Sequence, residues 1–407
     1  MGSTHDTTPI RVAFVMHKMQ VAGAEVLVTQ IIEQLGKRID PVVLCLDAIG
    51  ELGYKLLEKG VPVISMDRQP GMDWGVAKRL AHEIKTRRVE VIHAHQYTPF
   101  FYTALARMRH GAKAKVIFTE HGRHYPDIVS WKRRWANRLV LQRYADITTA
   151  CCDFSTEALK KLEGFSSAFT LPNGVDLSDL PARGDDQERV SLREKLELDL
   201  DRPYAACIAR LHPVKDHATL IRGWHLVHRK NSDARLLLVG DGPERESLES
   251  LISELASAGV PELKASIRFM GVRADVGDIL RAVDVFALTS VSEAASLTLL
   301  EAMASECASV VTDVGGNAEH LREGKDGYLV PRGDHEALAN RLEELLANTA
   351  IARELGRSAR EQVQAKFNLR DAVSSYLKHF AHLAEKEPID PAARNISDSK
   401  ATAELSA

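Results

Sequence analysis

The chain has 407 residues, 45% of them apolar, which is enough for two ordinary hydrophobic cores. With 53 Lys and Arg against 56 Asp and Glu, the net charge of −3 excludes the broad basic surface of a nucleic-acid binder, so any polyanion must be met locally. Cys45, Cys151, Cys152, Cys207 and Cys307 form no Cys-x-x-Cys pair and predict buried thiols; residues 1–9 carry no signal-peptide core, no apolar run reaches the ~20 residues of a membrane span, and a cytoplasmic location is expected.

Short apolar runs at 10–17, 41–47, 61–66, 89–95, 115–121 and 146–151 read as strands separated by helix-length amphipathic segments. This rhythm predicts a parallel sheet covered on both faces. It restarts at 204–210 and continues through 235–240, 267–271, 284–289 and 309–313. The expected class is therefore α/β, with two Rossmann-like, doubly wound parallel-sheet domains in series. Residues 173–189 are rich in Pro, Gly and Asp and place the boundary near Gly184. The reading is 1–184 for the first domain, 185–366 for the second, 367–385 for a last helix, and 386–407 for a disordered tail too poor in large apolar residues to pack. Two such sheets can turn their carboxyl ends to a shared cleft, where open α/β sheets bind ligands.

Candidate functional residues cluster at the strand ends. Ala22 and Gly23 follow the first strand, and their small side chains let a ligand approach the backbone. His121 closes the strand at 115–121, with Gly122 keeping the approach open; Glu120 and His124 are weaker candidates beside it. His93 and His95 share one side of their strand but find no third metal ligand. Arg210 and Lys215 follow the second domain's first strand, a guanidinium fork and a compact ammonium able to converge on one diphosphate. Gly240, Met270 and Val272 sit at further strand ends suited to gripping a flat base. Asp199 and Asp201 have the spacing of a metal-binding pair, but their charged surroundings read as a solvated turn. Gly315 and Gly316 again follow a strand, and Glu319 reads either as a sugar contact or, by preference, as the cap of the next helix.

The most informative stretch is 292–304. A helix beginning near Ser296 offers the N–H groups of Ser296, Leu297 and Thr298 to an anion, with Glu293 before that point and Glu301 roughly 7 Å beyond it at about 1.5 Å per residue. Carboxylates accept from sugar hydroxyls, so this order fits a hexose, a diphosphate and a ribose, that is, a nucleotide sugar.

Taken together, Gly23, His121-Gly122, the run Pro172-Asn173-Gly174-Val175-Asp176, Arg210 with Lys215, Gly240-Asp241-Gly242-Pro243, and Glu293 with Glu301 resemble glycosyltransferase family 4 over about 10–385. The resemblance implies the GT-B fold, with Arg210 and Lys215 on the donor diphosphate, Glu293 on the donor sugar, Glu301 on the ribose and His121 near the transferred group. It also implies retention of anomeric configuration without a metal or other cofactor, the leaving phosphate assisting the acceptor's deprotonation. By the same resemblance the last helix crosses back onto the first domain. The chain departs from the family in carrying Ala22-Gly23 for Gly-Gly and Ala294-Ala295 for a bulkier pair, which leaves space near the hexose.

The expected activity is hexosyl transfer from a nucleotide sugar, UDP-linked by preference, to a saccharide or lipid-linked acceptor in polysaccharide or glycolipid assembly. Two rivals are a nucleotide-sugar epimerase or hydrolase of the same fold, and a sugar-nucleotide-binding partner protein without catalysis. Trp131, Arg133, Arg134, Trp135 and Arg138 lie on a basic helix. Its aromatic stripe either docks on the inner face of a membrane or packs inward, leaving the cations as a solvated face.

Overall fold

The computed structural model describes residues 8–122 and 130–386; of the tail expected over 386–407 only Lys386 is described, paired with Glu90 at 3.0 Å, and 387–407 and the candidate His124 lie outside the described residues. The first sheet holds β1 (Ile10–Lys18), β2 (Ile39–Ala48), β3 (Val63–Ser65), β4 (Val91–His95), β5 (Lys115–Glu120), β6 (Ile147–Ala150) and β7 (Phe169–Thr170), in the spatial order β3-β2-β1-β4-β5-β6-β7. Continuous apolar runs make these strands because both faces are covered: Val12, Ala13, Phe14 and Val15 in β1 are all fully buried. The second sheet holds β8 (Tyr204–Ile208), β9 (Arg235–Val239), β10 (Ile267–Gly271), β11 (Val285–Leu288), β12 (Ala308–Thr312) and β13 (Gly327–Val330), ordered β10-β9-β8-β11-β12-β13. Both are doubly wound, with chain order reversing direction between β1 and β4 and between β8 and β11.

The expected strands are present, most of them shorter by a residue or two at their ends, while β7 and β13 had no counterpart in the sequence reading. β7 has only two residues, too few to show a period, and β13 follows a glycine-bearing turn that masks its four-residue apolar run.

By contacts, the described residues form two compact units. One takes in everything up to Thr119, Trp135–Thr149 and the chain from Val373 on; the other takes in Glu120–Arg134 and Ala150–Ala372. The division thus differs from the single cut expected near Gly184. The segments after β5 and β6 join the second unit through close contacts there: a Cβ on Gly122 would stand 3.1 Å from that of Ala294, and Glu319 accepts from the backbone N–H groups of Asp153 and Phe154, each at 2.7 Å. Glu319 therefore caps the helix Asp153–Ala158, not the helix next to it in sequence.

In the first unit, the later part of the helix Leu369–Ala384 seals the core of the sheet. Phe380 meets Phe14 edge-on at 6.1 Å, and Tyr376 lies 5.0 Å from His93. Each fully buried phenylalanine contributes roughly 1.5–3 kcal/mol. The rings of His93 and His95 lie 3.9 Å apart, tilted by 38°, within this core, and His93 Nε2 lies 2.8 Å from Thr119 Oγ1, so both serve packing. All five cysteines are free and buried.

Candidate active site

The site is built from the carboxyl ends of the second sheet, beginning where β8 and β11 lie side by side. Val285 pairs with Ala205 and Phe286 with Ala206, so the loops leaving these two strands are neighbours although nearly eighty positions separate them in sequence. Val291 donates to the carbonyl of Val214 at 2.9 Å, and Thr289 Oγ1 reaches the carbonyls of Lys215 (3.2 Å) and Asp216 (2.9 Å). Asp216, at φ +45°, caps the helix His217–Lys230 by accepting from Thr219 N. The outcome of this stitching is an ion pair between Lys215 Nζ and Glu293 Oε1, the same oxygen accepting from Ser290 Oγ at 2.6 Å. The Glu293 side chain is only 9% exposed and that of Lys215 22%, so the pair is sheltered from screening.

Arg210, by contrast, is exposed and has no ion-pair partner among the described residues. Gly240 is packed beside it: at φ +132° its backbone adopts a conformation suited to glycine, and a Cβ there would overlap the carbonyl oxygen of Ala209. Gly240 N donates to Gly271 O at 2.8 Å, which brings in Met270, half-buried, and Val272, 74% exposed, on either side of that residue.

Downstream of Glu293 the chain turns into the helix Leu297–Ala304. Ser296 is its cap, with Oγ accepting from Leu299 N at 3.3 Å. Among the described residues nothing accepts from the N–H groups of Leu297 and Thr298, so these two donors stand open at the positive end of the helix dipole. Glu301 is half-buried one turn on, and burial pushes its carboxyl up to about 7 from an ordinary 4.5. Behind the loop, Gly316 N donates to Glu293 O at 3.2 Å, and a Cβ on Gly315 or Gly316 would overlap the carbonyl oxygens of Glu293 and Ala294. This packing is the reason for two glycines after β12.

The same loop meets His121. Gly122, at φ +140°, abuts Ala294, and burial lowers the preceding imidazole to about 4, so His121 is neutral at physiological pH. His121, Arg210, Lys215, Gly240, Met270, Val272, Glu293, Ser296, Leu297, Thr298 and Glu301 thus all belong to one compact unit. Ala22 and Gly23 belong to the other, at the start of the helix Gly23–Leu35. Sequence reasoning missed Thr289, Ser290 and Asp216, the groups that hold the Lys215–Glu293 pair in place; hydroxyls directly after a strand were the available signal. Asp199 is exposed and paired with Arg202 at 2.8 Å, a turn as expected. Trp131, Trp135 and Leu139 do not pack inward: they are 67%, 52% and 53% exposed. Arg134 and Arg138 are exposed beside them, while Arg133 is drawn to Glu163 at 2.9 Å. Among the described residues, no helix is long and apolar enough to cross a membrane.

Residues 21–179 match the family described as Glycosyltransferase Family 4, and residues 202–348 the family described as Glycosyl transferases group 1. The N-acetyl-alpha-D-glucosaminyl L-malate synthase of Bacillus anthracis is 26% identical over 316 residues, covering 77% of this chain and 80% of its own. The GDP-mannose-dependent alpha-(1-6)-phosphatidylinositol monomannoside mannosyltransferase of Mycolicibacterium smegmatis is 29% identical over 297 residues, covering 70% and 74%. In fold, the chain is similar to Anabaena HepE, crystallised in complex with UDP, at a TM-score of 0.79 and 20% identity over 92% of this chain and 100% of that one. The two family matches run in order along the two parallel sheets, and the chain accordingly belongs to the glycosyltransferases of family 4, with the GT-B fold.

Proposed function

We propose that the chain transfers a hexose, with retention and without a metal, from a UDP-linked donor to a saccharide or lipid-linked acceptor in polysaccharide or glycolipid assembly. The observation that carries this reading is the Lys215–Glu293 pair set beside a helix start with two open N–H donors and a half-buried Glu301 beyond it. Lys215 and Arg210 supply the positive charge that a diphosphate leaving group needs, the role a metal would otherwise fill. Glu293 accepts from hexose hydroxyls and Glu301 from ribose hydroxyls. In the reaction the bond from C1 to the phosphate oxygen breaks, the acceptor oxygen bonds C1 on the same face, and the acceptor's proton passes to the departing phosphate. His121, neutral and half-buried, contacts the transferred sugar. Fold neighbours crystallised with UDP and with UDP-glucose support uridine as the base, whereas the mycobacterial relative's name specifies GDP-mannose.

A thermal-shift screen of UDP-, GDP- and ADP-hexoses, with EDTA or with magnesium, tests donor and metal together. At a hundred times its dissociation constant the true donor stabilises the fold by about 2.7 kcal/mol. Binding that EDTA abolishes refutes metal independence, and an inverted anomer in the NMR spectrum of the product refutes retention. Free sugar or an isomer in place of a glycosylated acceptor favours the epimerase or hydrolase reading.

The exposed Trp131, Trp135 and Leu139 among Lys132, Arg134 and Arg138 favour a peripheral location on anionic lipid, and with it a lipid-linked acceptor. Flotation with phosphatidylglycerol vesicles should carry the intact chain and leave the Trp131→Ala/Trp135→Ala variant behind; equal behaviour of the two removes this contact.

A further inference from the structure

The loops of the candidate site leave the carboxyl ends of the second sheet; at its amino ends, within the same compact unit, lies a cavity of about 590 Å³, a size typical of small-molecule sites. Arg183 in its wall donates to the carbonyl of Val283, just ahead of β11, and Glu306 stands just ahead of β12. Glu306 also follows the helix Leu297–Ala304, whose open N–H donors lie at its far end, roughly 12 Å away at about 1.5 Å per residue. The cavity is therefore separate from the donor site.

Its charge is unbalanced on one side. The Arg183 side chain is only 12% exposed, yet Nη2 alone is hydrogen-bonded, to Val283 O; Nε and Nη1 have no hydrogen-bond partner among the described residues. The carboxylate that faces it, Asp284, is 4.0 Å away through Oδ1, and that oxygen already pairs with Arg189 while Oδ2 accepts from Arg193 Nη2 at 3.1 Å. Three guanidiniums thus share one carboxylate. Burial lowers the Arg189 pKa; Asp284 opposes this, but the charges of Arg193, Arg183 and Arg353 add to it, so the cluster carries more positive charge than it neutralises. A sheltered guanidinium with unmatched charge is costly unless an anion completes it.

The rest of the wall offers the same kind of donor. Arg357 is exposed and has no ion-pair partner among the described residues, and Arg353 is held only by Asp186 at 2.8 Å, a pair more than half exposed and therefore weak. Thr349 and Ala350 open the helix Thr349–Lys366; its cap Asn348 takes Ile351 N, and the N–H groups of Thr349 and Ala350 find no acceptor among the described residues. Carboxylates line the cavity too. Asp185 is engaged as the cap of the helix Asp186–Lys195, whereas Asp186 and Glu306, the latter 4.0 Å from Arg360 Nε, keep lone pairs for hydroxyl donors. We infer that this cavity binds a phosphate monoester of a sugar or polyol, its phosphate held by Arg183, Arg353, Arg357 and the N–H groups of Thr349 and Ala350, its hydroxyls by Asp186 and Glu306. The same carboxylates disfavour a polyanion, which brings more negative charge than the arginines can meet. No residue of the donor site takes part, so binding here is independent of the transfer reading.

Calorimetry of the intact chain with ribose 5-phosphate, sorbitol 6-phosphate, the unphosphorylated ribose and sorbitol, and inorganic phosphate tests this. At least one phosphate ester should bind, its unphosphorylated parent should not, and inorganic phosphate should bind more weakly by about tenfold or more, having no hydroxyls for Asp186 and Glu306. Arg353→Ala/Arg357→Ala should weaken the ester by about tenfold or more, the worth of a lost charge-assisted contact, and Arg357→Glu alone should do the same should the double variant fail to fold. Lys215→Ala, at the donor site, should leave ester affinity unchanged. Binding of neither ester, a parent sugar or inorganic phosphate binding as tightly as the ester, undiminished affinity in the arginine variants, or loss of the ester in Lys215→Ala overturns the inference.

Discussion

Replacing Glu301 by Gln separates two consequences of one buried carboxyl. In the folded protein the group holds its proton up to about 7, whereas in the unfolded chain it releases it near 4.5. Between those values the folded state binds more protons, so stability falls as pH rises through the window and the penalty is complete above about pH 7. The gap corresponds to at most about 3 kcal/mol, and partial exposure of the residue reduces this to roughly 1–2 kcal/mol. Urea unfolding of the wild type and Glu301→Gln should therefore agree near pH 4.5, with the variant more stable by that amount at pH 8. Nucleotide binding should run the opposite way: ribose hydroxyls donate best to an ionised carboxylate, so UDP affinity in the wild type should rise from pH 6 to pH 8, and the variant should bind more weakly with no such rise. Parallel unfolding curves across the whole range would show that the carboxyl is not withdrawn from water, and unchanged UDP affinity would remove Glu301 from the ribose.

Lys215→Ala should lower donor affinity by about 1.5–3 kcal/mol, the worth of a charge-assisted hydrogen bond, as read by calorimetry with UDP; equal affinity removes Lys215 from the diphosphate. Gly316→Ala should lower the melting temperature, because its Cβ has no room beside the carbonyl of Ala294, and an unaltered melt contradicts that packing. His121→Ala should reduce turnover far more than stability. Because burial holds the imidazole at about 4, the wild-type turnover profile should carry no His121 titration between pH 5 and pH 8; an arm there that disappears in the variant refutes the neutral assignment.

The strand and helix pattern was legible because both sheets are buried on two faces, and burial on two faces writes uninterrupted apolar runs into the sequence. Ser296 was legible as a helix start because a hydroxyl before an apolar helix satisfies an otherwise open N–H, and the structure places it there. The division into compact units was not, because it is set by single contacts such as Glu319 on the N–H groups of Asp153 and Phe154, about 165 positions away, and nothing local distinguishes that glutamate from one capping its own neighbour. The exposure of Trp131 and Trp135 was equally hidden: their spacing marks a stripe but not the side to which the helix turns it.

The Lys215–Glu293 pair illustrates the deeper limit. Each residue was identifiable alone, but their meeting depends on β11 lying beside β8, a fact of strand order and not of local pattern. That meeting also changes what each residue does. Glu293 is almost buried, and a buried carboxylate without a cation is costly, so Lys215 stabilises it at rest. A ligand that draws Lys215 away by its phosphates must therefore also bring a hydroxyl to Glu293. A diphosphate alone leaves the carboxylate with Ser290 Oγ but no cation, whereas on the proposed reading a diphosphate bearing a hexose brings hydroxyls to it as well. On the proposed donor reading, the ion pair alone predicts tighter binding of a UDP-hexose than of UDP, and equal affinities in calorimetry refute it.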